Sequence, residues 1–168
     1  SVVKGFHRFC VAEDYTESNP AAGLPLPKTP ERLPDVLSID QVQRLFEALE
    51  GQEGGPAAVR NRAMLEVLYG CGLRVSELCG LDRSDVVLDQ GYLLVLGKGG
   101  KQRISPISGA AATALADYLE NARPQLCKPY AKPTDAVFLN ARGGRLTRQS
   151  VFKVVARAGL AIGVDNLH

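Results

Sequence analysis

Prolines divide this chain into parts of unequal length and limit which of them can be helical. Five of its ten prolines lie between Pro20 and Pro34. Proline removes a backbone donor and disfavours helix in the residue before it, so no regular helix fits this stretch. We therefore predict a short helical segment over residues 1–19, an extended linker over 20–36 and a folded domain over 37–168.

Local patterns in residues 37–168 predict a mainly α fold with one small antiparallel β-sheet, an α+β class. Ser38 and Gln41 form a capping-box pattern that starts a helix. A glycine-rich turn between two β-branched runs indicates a hairpin. Besides the helix after Ser38, the predicted helices are Val59–Tyr69, Ser76–Cys79, Ser108–Ala122 (closed by Pro124) and Thr147–Leu160, and the predicted strands are Tyr92–Leu96, Gln102–Ile107 and Val137–Leu139.

Charge is distributed unevenly along the chain. The formal net charge is +2, but residues 31–90 carry a net −5 and residues 91–164 a net +8. A strongly basic half attracts polyanions, because each cation placed on a phosphate releases condensed counterions. Any single cation fits a solvated helix face equally well. The whole basic half favours a phosphate-rich partner.

Composition argues against several other classes of protein. No apolar run approaches the ~20 residues of a membrane span. Residues 1–10 lack the apolar core of a signal peptide, so export is not expected. The four cysteines show no Cys-x-x-Cys spacing and the two histidines lie near opposite ends of the chain, so we expect neither a disulfide scaffold nor a metal site.

The glycine-rich turn at residues 97–101 carries Lys98 and Lys101, and Arg103 follows in the next predicted strand. It is not a P-loop, because the glycine spacing is wrong and a strand follows instead of a helix. Glycines let the main chain approach a ligand closely, so we predict that these three cations face a nucleic-acid backbone. An exposed hairpin with solubilising lysines is the alternative.

Arg74 follows the glycine break at Gly72 and opens the short predicted helix. In that position its guanidinium could join helix N-terminal amides in holding an anion. Glu77, three residues further on, lies within reach on the same helix face and could orient the guanidinium. An ordinary surface Arg–Glu pair is the alternative.

A second basic segment surrounds the start of the last predicted helix. Thr147 is the predicted N-cap. Side chains in the first turn of such a helix can reach phosphates or base edges. A solvated basic helix is the alternative. The predicted DNA-binding residues of this segment are Arg145, Thr147, Arg148, Gln149 and Lys153.

Four segments together resemble the bacterial Xer-type tyrosine recombinases in order and spacing. They are LPKTPERLPDVLSIDQVQRLFEAL, RNRAMLEVLYGCGLRVSELCGLDRSDV, YLLVLGKGGKQRISPIS and LTRQSVFKVV. The resemblance implies the fold of DNA breaking-rejoining enzymes. It implies site-specific DNA cleavage and rejoining through a 3′-phosphotyrosyl intermediate, with no metal and no other cofactor. The implied partners are double-stranded DNA and a homo- or hetero-tetramer of recombinase protomers, in the bacterial cytoplasm at the nucleoid.

The resemblance also assigns roles to individual residues. Arg74 matches the first catalytic arginine, and Glu77 matches the acidic residue that supports it. Lys98 matches the hairpin lysine that protonates the 5′-oxygen leaving group. By the same similarity, residues 1–19 correspond to the last helix of a core-binding domain, 20–36 to the interdomain linker and 37–168 to the N-terminal part of the catalytic domain.

The family's His-x-x-Arg box and its tyrosine nucleophile have no counterpart in this sequence. The similarity places His168 two positions before the catalytic histidine, with identity to that histidine as the alternative. None of the five tyrosines matches the nucleophile. We therefore expect a fragment that binds DNA without cleaving it. A non-catalytic DNA-binding module of the same fold, or a protein-interaction domain unrelated to DNA, are the other interpretations.

Overall fold

The chain divides into two units, Ser1–Val36 and Leu37–His168. The structure is a computed structural model that describes residues 2–25, 37–50 and 54–164. Most of the predicted linker, residues 26–36, lies outside the described residues, and residues 20–23 form a turn. No helix in the described ranges is both long enough and apolar enough to cross a membrane.

The first unit contains one helix, α1 (Val2–Ala12). The turn after it is held by Lys4, whose Nζ donates to the Ala22 carbonyl at 3.0 Å. Phe6 and Phe9 lie on the helix at 61% and 53% exposure. The short helical segment predicted within residues 1–19 is thus present as α1, and the division into named domains stays a prediction.

The second unit is mainly helical and contains one small antiparallel sheet, as predicted. The capping box at the start of α2 is present, because Ser38 N–H donates to Gln41 Oε1 at 2.8 Å and Gln41 N–H to Ser38 Oγ at 3.2 Å. The helices are α2 (Ile39–Glu50), α3 (Pro56–Cys71), α4 (Val75–Gly80), α5 (Gly109–Asp117), α6 (Arg123–Leu126) and α7 (Arg148–Ala161), and the strands are β1 (Val86–Val87), β2 (Tyr92–Leu96) and β3 (Gln102–Pro106).

Helix α3 lies at the centre of this unit and packs against α2, α4, α5 and α6. Its side chains Ala63, Met64 and Val67 are fully buried. A Cβ atom built at Gly70 would lie 3.1 Å from the Cβ of Ala111, so glycine permits the close approach of α5. Because α3 is buried on several sides, its apolar residues do not form a single stripe. The helix predicted from the sequence, Val59–Tyr69, is therefore shorter than the observed helix.

The sheet is antiparallel, in the order β1-β2-β3. In β2, Leu93 and Val95 are fully buried and alternate with less buried neighbours, as the two-residue period of a strand requires. Strand β2 has the predicted bounds, and β3 ends one residue earlier than predicted. Strand β1 was missed because it is only two residues long and lies within a polar turn.

Pro124 does not end its helix, so that prediction was wrong. A π-helical turn at Tyr118–Ala122 joins α5 to α6, and Pro124 falls in the first turn of α6. The amide of Arg123 donates to the Tyr118 carbonyl, five residues back. Proline costs little in a first turn, because its missing N–H would have no intrahelical partner there.

The predicted strand Val137–Leu139 was also wrong. Residues 136 and 139 form isolated bridges, Asp82 with Ala136 and Leu139 with Arg145. Single backbone bonds link Val137 to Leu81 and Phe138 to Leu146. A buried side chain adds two more bonds, since Tyr118 Oη donates to the Val137 carbonyl and accepts from the Leu139 amide, both at 3.1 Å. Side-chain partners of this kind satisfy buried backbone groups that have no neighbouring strand.

Candidate functional site

Arg74 occupies the corner between α3 and α4. Gly72 ends α3 in the left-handed conformation, at φ 59° and ψ 37°, which glycine adopts without steric cost. Arg74 is then the extended N-cap residue of α4, at φ −71° and ψ 149°. Leu73 and Leu78 are buried on either side of it, so the apolar residues fix the corner while the side chain of Arg74 stays 74% exposed.

The carboxylate of Glu77 organises the corner. Its Oε1 accepts from Arg74 Nη1 at 2.8 Å, and its Oε2 accepts from the Arg74 backbone amide at 2.9 Å. The Glu77 side chain is only 3% exposed. A buried carboxylate with several charge-assisted bonds is a rigid partner, so Glu77 fixes the direction of the Arg74 guanidinium, as predicted for this pair from its spacing.

Glu77 also receives a second arginine, from the hairpin. Arg103 Nη2 donates to Glu77 Oε2 at 3.0 Å. Burial alone raises the pKa of the Glu77 carboxyl, but the hydrogen bonds from Arg74 and Arg103 outweigh it and hold the pKa below its ordinary value. Glu77 is therefore ionised at neutral pH and lies between two cations.

The contact with Arg103 was missed by sequence reasoning, which placed this arginine toward a nucleic acid. The two-residue period of β3 could have predicted this contact, because it places residues 103 and 105 on the same face of the strand. Ser105 on that face is buried, and its Oγ donates to the Cys71 carbonyl at 3.0 Å. A strand attached to α3 through residue 105 must direct residue 103 toward the same helices.

Beside Arg74 there is an open cleft of about 360 Å³. Its described lining residues include no tyrosine; they are Arg74, Ser76, Glu77, Leu96 and Gly97. Glu77 binds one terminal nitrogen of the Arg74 guanidinium, and guanidinium carries five N–H donors in a planar fork. Donors of Arg74 therefore remain for an anion entering the cleft.

The hairpin tip is a tight turn at Lys98–Gly100. Gly99 and Gly100 adopt φ 77° and 74°, which side-chain-bearing residues rarely adopt. Lys98 directly follows Gly97, a lining residue of the cleft, and Lys101 is exposed at the start of the returning strand. The hairpin thus brings the backbone of the predicted lysine position to the edge of the Arg74 cleft.

The second basic segment lies next to the corner as well, because α4 packs against α7. Thr147 is the N-cap of α7, as predicted, and its Oγ1 accepts from the Ser150 amide at 3.3 Å. Arg148, Gln149 and Lys153 are exposed. Burial raises the pKa of the Cys79 thiol on α4, and the nearby charges of Arg148 and Arg145 oppose that shift.

Arg145 makes three side-chain bonds within the protein. Its Nη1 donates to the carbonyls of Cys79 at 3.0 Å and Leu81 at 3.1 Å, and its Nη2 pairs with Asp82. These groups cap the end of α4 and tie the turn before α7 to it. Arg145 thus differs from Arg148 and Lys153, whose side chains make no hydrogen bond or ion pair with any described residue.

The sequence model of the phage integrase family matches residues 35–168. The chain therefore belongs to the phage integrase family. Within that family it is similar to the Xer-type tyrosine recombinases, as its sequence segments predicted.

The tyrosine recombinase XerD of Mycobacterium tuberculosis is 45% identical over 169 residues, covering 97% of this chain and 54% of the relative. XerD of Halalkalibacterium halodurans is 39% identical over 165 residues, covering 98% of this chain and 54% of the relative. This chain spans about half the length of these relatives.

Solved structures confirm the predicted fold class. The crystal structure of the XerA recombinase superposes with a TM-score of 0.66 at 28% identity, covering 98% of this chain and 54% of that one. A lambda integrase dimer bound to a COC′ core site gives a TM-score of 0.69 at 22% identity, covering 98% of this chain and 44% of that one. At that identity the likeness shows the fold alone.

Proposed function

We propose that the whole protein containing these residues is a site-specific DNA recombinase, which cleaves and rejoins strands through a 3′-phosphotyrosyl intermediate. This chain then supplies the DNA-binding and phosphate-stabilising part of it. The observation that carries the proposal is the exposed Arg74 guanidinium, fixed by the buried Glu77 at the edge of an open cleft beside the hairpin. Membership of the phage integrase family supports the same chemistry.

In the proposed cleavage step, a tyrosine hydroxyl gives its proton to a base elsewhere in the whole protein. Its oxygen bonds to the scissile phosphorus, and the bond from phosphorus to the 5′-oxygen breaks. Arg74 donates to the non-bridging oxygens, where charge develops in the transition state. Lys98 gives its proton to the departing 5′-oxygen as general acid. Glu77 holds Arg74 in place. The nucleophile comes from a part of the whole protein other than the described lining of the cleft.

The DNA contacts are proposed for exposed cations and amides near this cleft. Lys101 on the hairpin and Arg148, Gln149 and Lys153 on α7 face the duplex, where the cations bind phosphates and Gln149 reaches phosphate or base edges. Thr147 contributes by capping α7. Arg145 and Arg103 support DNA binding through the contacts that place α7 and the hairpin, because both are paired within the protein.

The proposed partners are double-stranded DNA and further recombinase protomers in a homo- or hetero-tetramer. One lambda integrase structure of the same fold is described as a tetramer bound to a Holliday junction. We propose no cofactor and no metal for the reaction. The proposed location is the bacterial cytoplasm, at the nucleoid, because the relatives are bacterial proteins and the proposed substrate is DNA.

The first test is DNA binding by these 168 residues at several salt concentrations. The logarithm of the binding constant should fall linearly with the logarithm of salt concentration. The double variant Arg148→Met/Lys153→Met should reduce that slope by roughly 2. Arg83→Met, which removes an exposed arginine without a described side-chain partner, should leave it unchanged. A binding constant that is insensitive to salt would contradict the proposal.

The second test uses a suicide substrate that traps covalent protein–DNA product. These 168 residues should bind it without forming such a product, whereas the complete gene product should form it. Covalent product from the 168 residues alone would contradict the proposal that the nucleophile comes from another part of the whole protein. Binding without covalent product by the complete gene product would favour a non-catalytic DNA-binding module instead.

A further inference from the structure

Arg103 and Arg74 share one carboxylate although they come from different elements. Glu77 Oε2 accepts from Arg103 Nη2 at 3.0 Å and from the Arg74 amide at 2.9 Å. Glu77 Oε1 accepts from Arg74 Nη1 at 2.8 Å. The α3–α4 corner and the hairpin are therefore joined through a single buried side chain.

Strand β3 meets the helices at two points on one face. Ser105 Oγ donates to the Cys71 carbonyl at the end of α3, and Arg103 binds Glu77 on α4. Ile104 points away from that face and is 64% exposed. The helix residues in these two contacts, Cys71 and Glu77, precede and follow Arg74 in the sequence. Together the contacts fix the position of β3 relative to the corner that carries Arg74.

Of the two contacts, Arg103 is the one nearer the hairpin tip. It pairs with Val95 across the hairpin, and the next pair, Leu96 with Gln102, is the last before the tip. Among the described side chains of residues 96–104, Arg103 alone makes a hydrogen bond or ion pair with the helices. The tip itself contains two glycines at positive φ and has little stiffness of its own.

We propose that Arg103 is a positioning residue for Lys98. Its bond to Glu77 holds the outer half of the hairpin at a fixed place relative to Arg74, so that the lysine and the arginine act on the same phosphodiester. The inference rests on the proposed cleavage reaction and goes beyond a contact between Arg103 and DNA. When Arg103 is replaced, Glu77 keeps its two bonds to Arg74. We therefore expect the fold to persist and the position of the hairpin to change.

The test compares two DNA substrates in single-turnover cleavage by the complete gene product. One carries the ordinary 5′-oxygen leaving group, and the other carries sulfur at that position, which departs without needing a proton. At saturating DNA, Arg103→Met should slow the ordinary substrate about 10- to 100-fold, part of the roughly 10²–10⁴-fold that a positioned general acid contributes. It should slow the sulfur substrate less than about 3-fold, because the lysine is dispensable there. Arg83→Met is the matched control and should cleave both substrates at the wild-type rate.

Arg103→Lys adds a conservative comparison. A lysine ammonium can reach Glu77 with one bond, so this variant should recover part of the rate on the ordinary substrate. Equal slowing of both substrates by Arg103→Met would overturn the proposal, since it would mean that Arg103 acts on the phosphate or on folding. A raised DNA dissociation constant with an unchanged saturated rate would also overturn it, and would make Arg103 a DNA contact.

A second readout needs no cleavage and separates this inference from the proposed function. In the 168 residues, hydrogen exchange of the Gly97 amide reports hairpin closure, because that amide donates to the Lys101 carbonyl at 2.8 Å. Arg103→Met should accelerate its exchange about 10-fold, while Arg83→Met should not. Unchanged exchange would overturn the positioning role. If the complete gene product cleaves neither substrate, the proposed function fails, and the exchange measurement still decides whether Arg103 holds the hairpin.

Discussion

Arg123 donates two hydrogen bonds to the carbonyl of Ala136, from Nε at 3.0 Å and from Nη2 at 2.7 Å. The same guanidinium reaches the carbonyls of Thr134 at 3.0 Å and Val137 at 3.2 Å, and Arg123 is only 7% exposed. Arg60 adds a bond to the Leu139 carbonyl at 2.9 Å. Buried arginines thus hold the segment that leads into the turn before α7, so the start of α7 depends on the core.

Arg123→Met should destabilise the second unit markedly. Methionine fills similar volume but leaves the carbonyls of Thr134, Ala136 and Val137 without these donors, at a cost of about 2 to 4 kcal/mol in the free energy of unfolding. Urea denaturation followed by circular dichroism measures the difference. The matched control, Arg157→Met at an exposed position, should change it by less than about 0.5 kcal/mol. Equal values for both variants would show that the carbonyl bonds do not stabilise the fold.

Tyr118→Phe tests the other buried group on this segment. The change keeps the ring, which stacks on Phe138 with centroids 5.4 Å apart and an interplanar angle of 8°, and removes only the hydroxyl. Burial raises the pKa of that hydroxyl, so it stays protonated and donates to Val137. Losing it should cost about 1 to 2 kcal/mol in the same unfolding experiment. Tyr130→Phe, at a side chain 78% exposed, should be neutral; a neutral Tyr118→Phe would contradict the assignment.

Glu77 should make stability depend on pH in the acid range. Its pKa is lowered in the folded state, so the unfolded chain binds more protons between the folded and unfolded values. The contribution of Glu77 is therefore complete above the unfolded pKa of about 4.3 and is lost as pH falls through the folded pKa. Glu77→Gln should be less stable than wild type near pH 6, and the gap should narrow below about pH 4.

Unfolding free energies measured across this pH range check the prediction for Glu77. The matched control is Glu120→Gln, at an exposed position without a described side-chain partner. If the difference in unfolding free energy between wild type and Glu77→Gln stayed constant with pH, the predicted role of Glu77 ionisation would be contradicted.

Local signals in the sequence were enough for much of this fold. Helix α2 begins at its capping box, β2 follows its alternation, and Thr147 caps α7. The two wrong predictions have different causes, a rare local turn in one case and contacts between residues distant in sequence in the other. Pro124 remains helical because a π-turn resets the helix before it, and residues 137–139 are held by side chains from α3 and the α5–α6 region instead of a neighbouring strand.

The candidate site divides in the same way. The bond between Arg74 and Glu77 joins residues three apart on one helix, so spacing alone predicts it. The bond between Arg103 and Glu77 joins residues 26 apart, and Arg145 reaches back 66 residues to Cys79. The sequence pattern alone does not distinguish these basic residues. The tertiary structure divides them into paired ones, such as Arg145, and exposed ones, such as Arg148.

Arg74→Ala in the complete gene product should abolish cleavage while leaving DNA binding nearly unchanged. The guanidinium acts on charge that develops in the transition state, so its loss should slow single-turnover cleavage by about 100-fold or more. The dissociation constant for DNA should stay within about 3-fold of the wild-type value. Arg83→Met is the control for removal of one positive charge. If binding and cleavage fell together, Arg74 would be a docking residue.

Lys98→Ala should be selective for the chemistry of the leaving group. If Lys98 protonates the 5′-oxygen, removing it should slow cleavage of ordinary DNA about 100- to 1000-fold, within the range of general acid catalysis. A substrate with a 5′-sulfur leaving group should be cleaved at close to the wild-type rate, because a thiolate departs without a proton. Lys128→Ala, which removes another lysine from the basic half, is the control and should cleave both substrates normally. Equal loss on both substrates would assign Lys98 to phosphate binding, and the general acid would have to be another group.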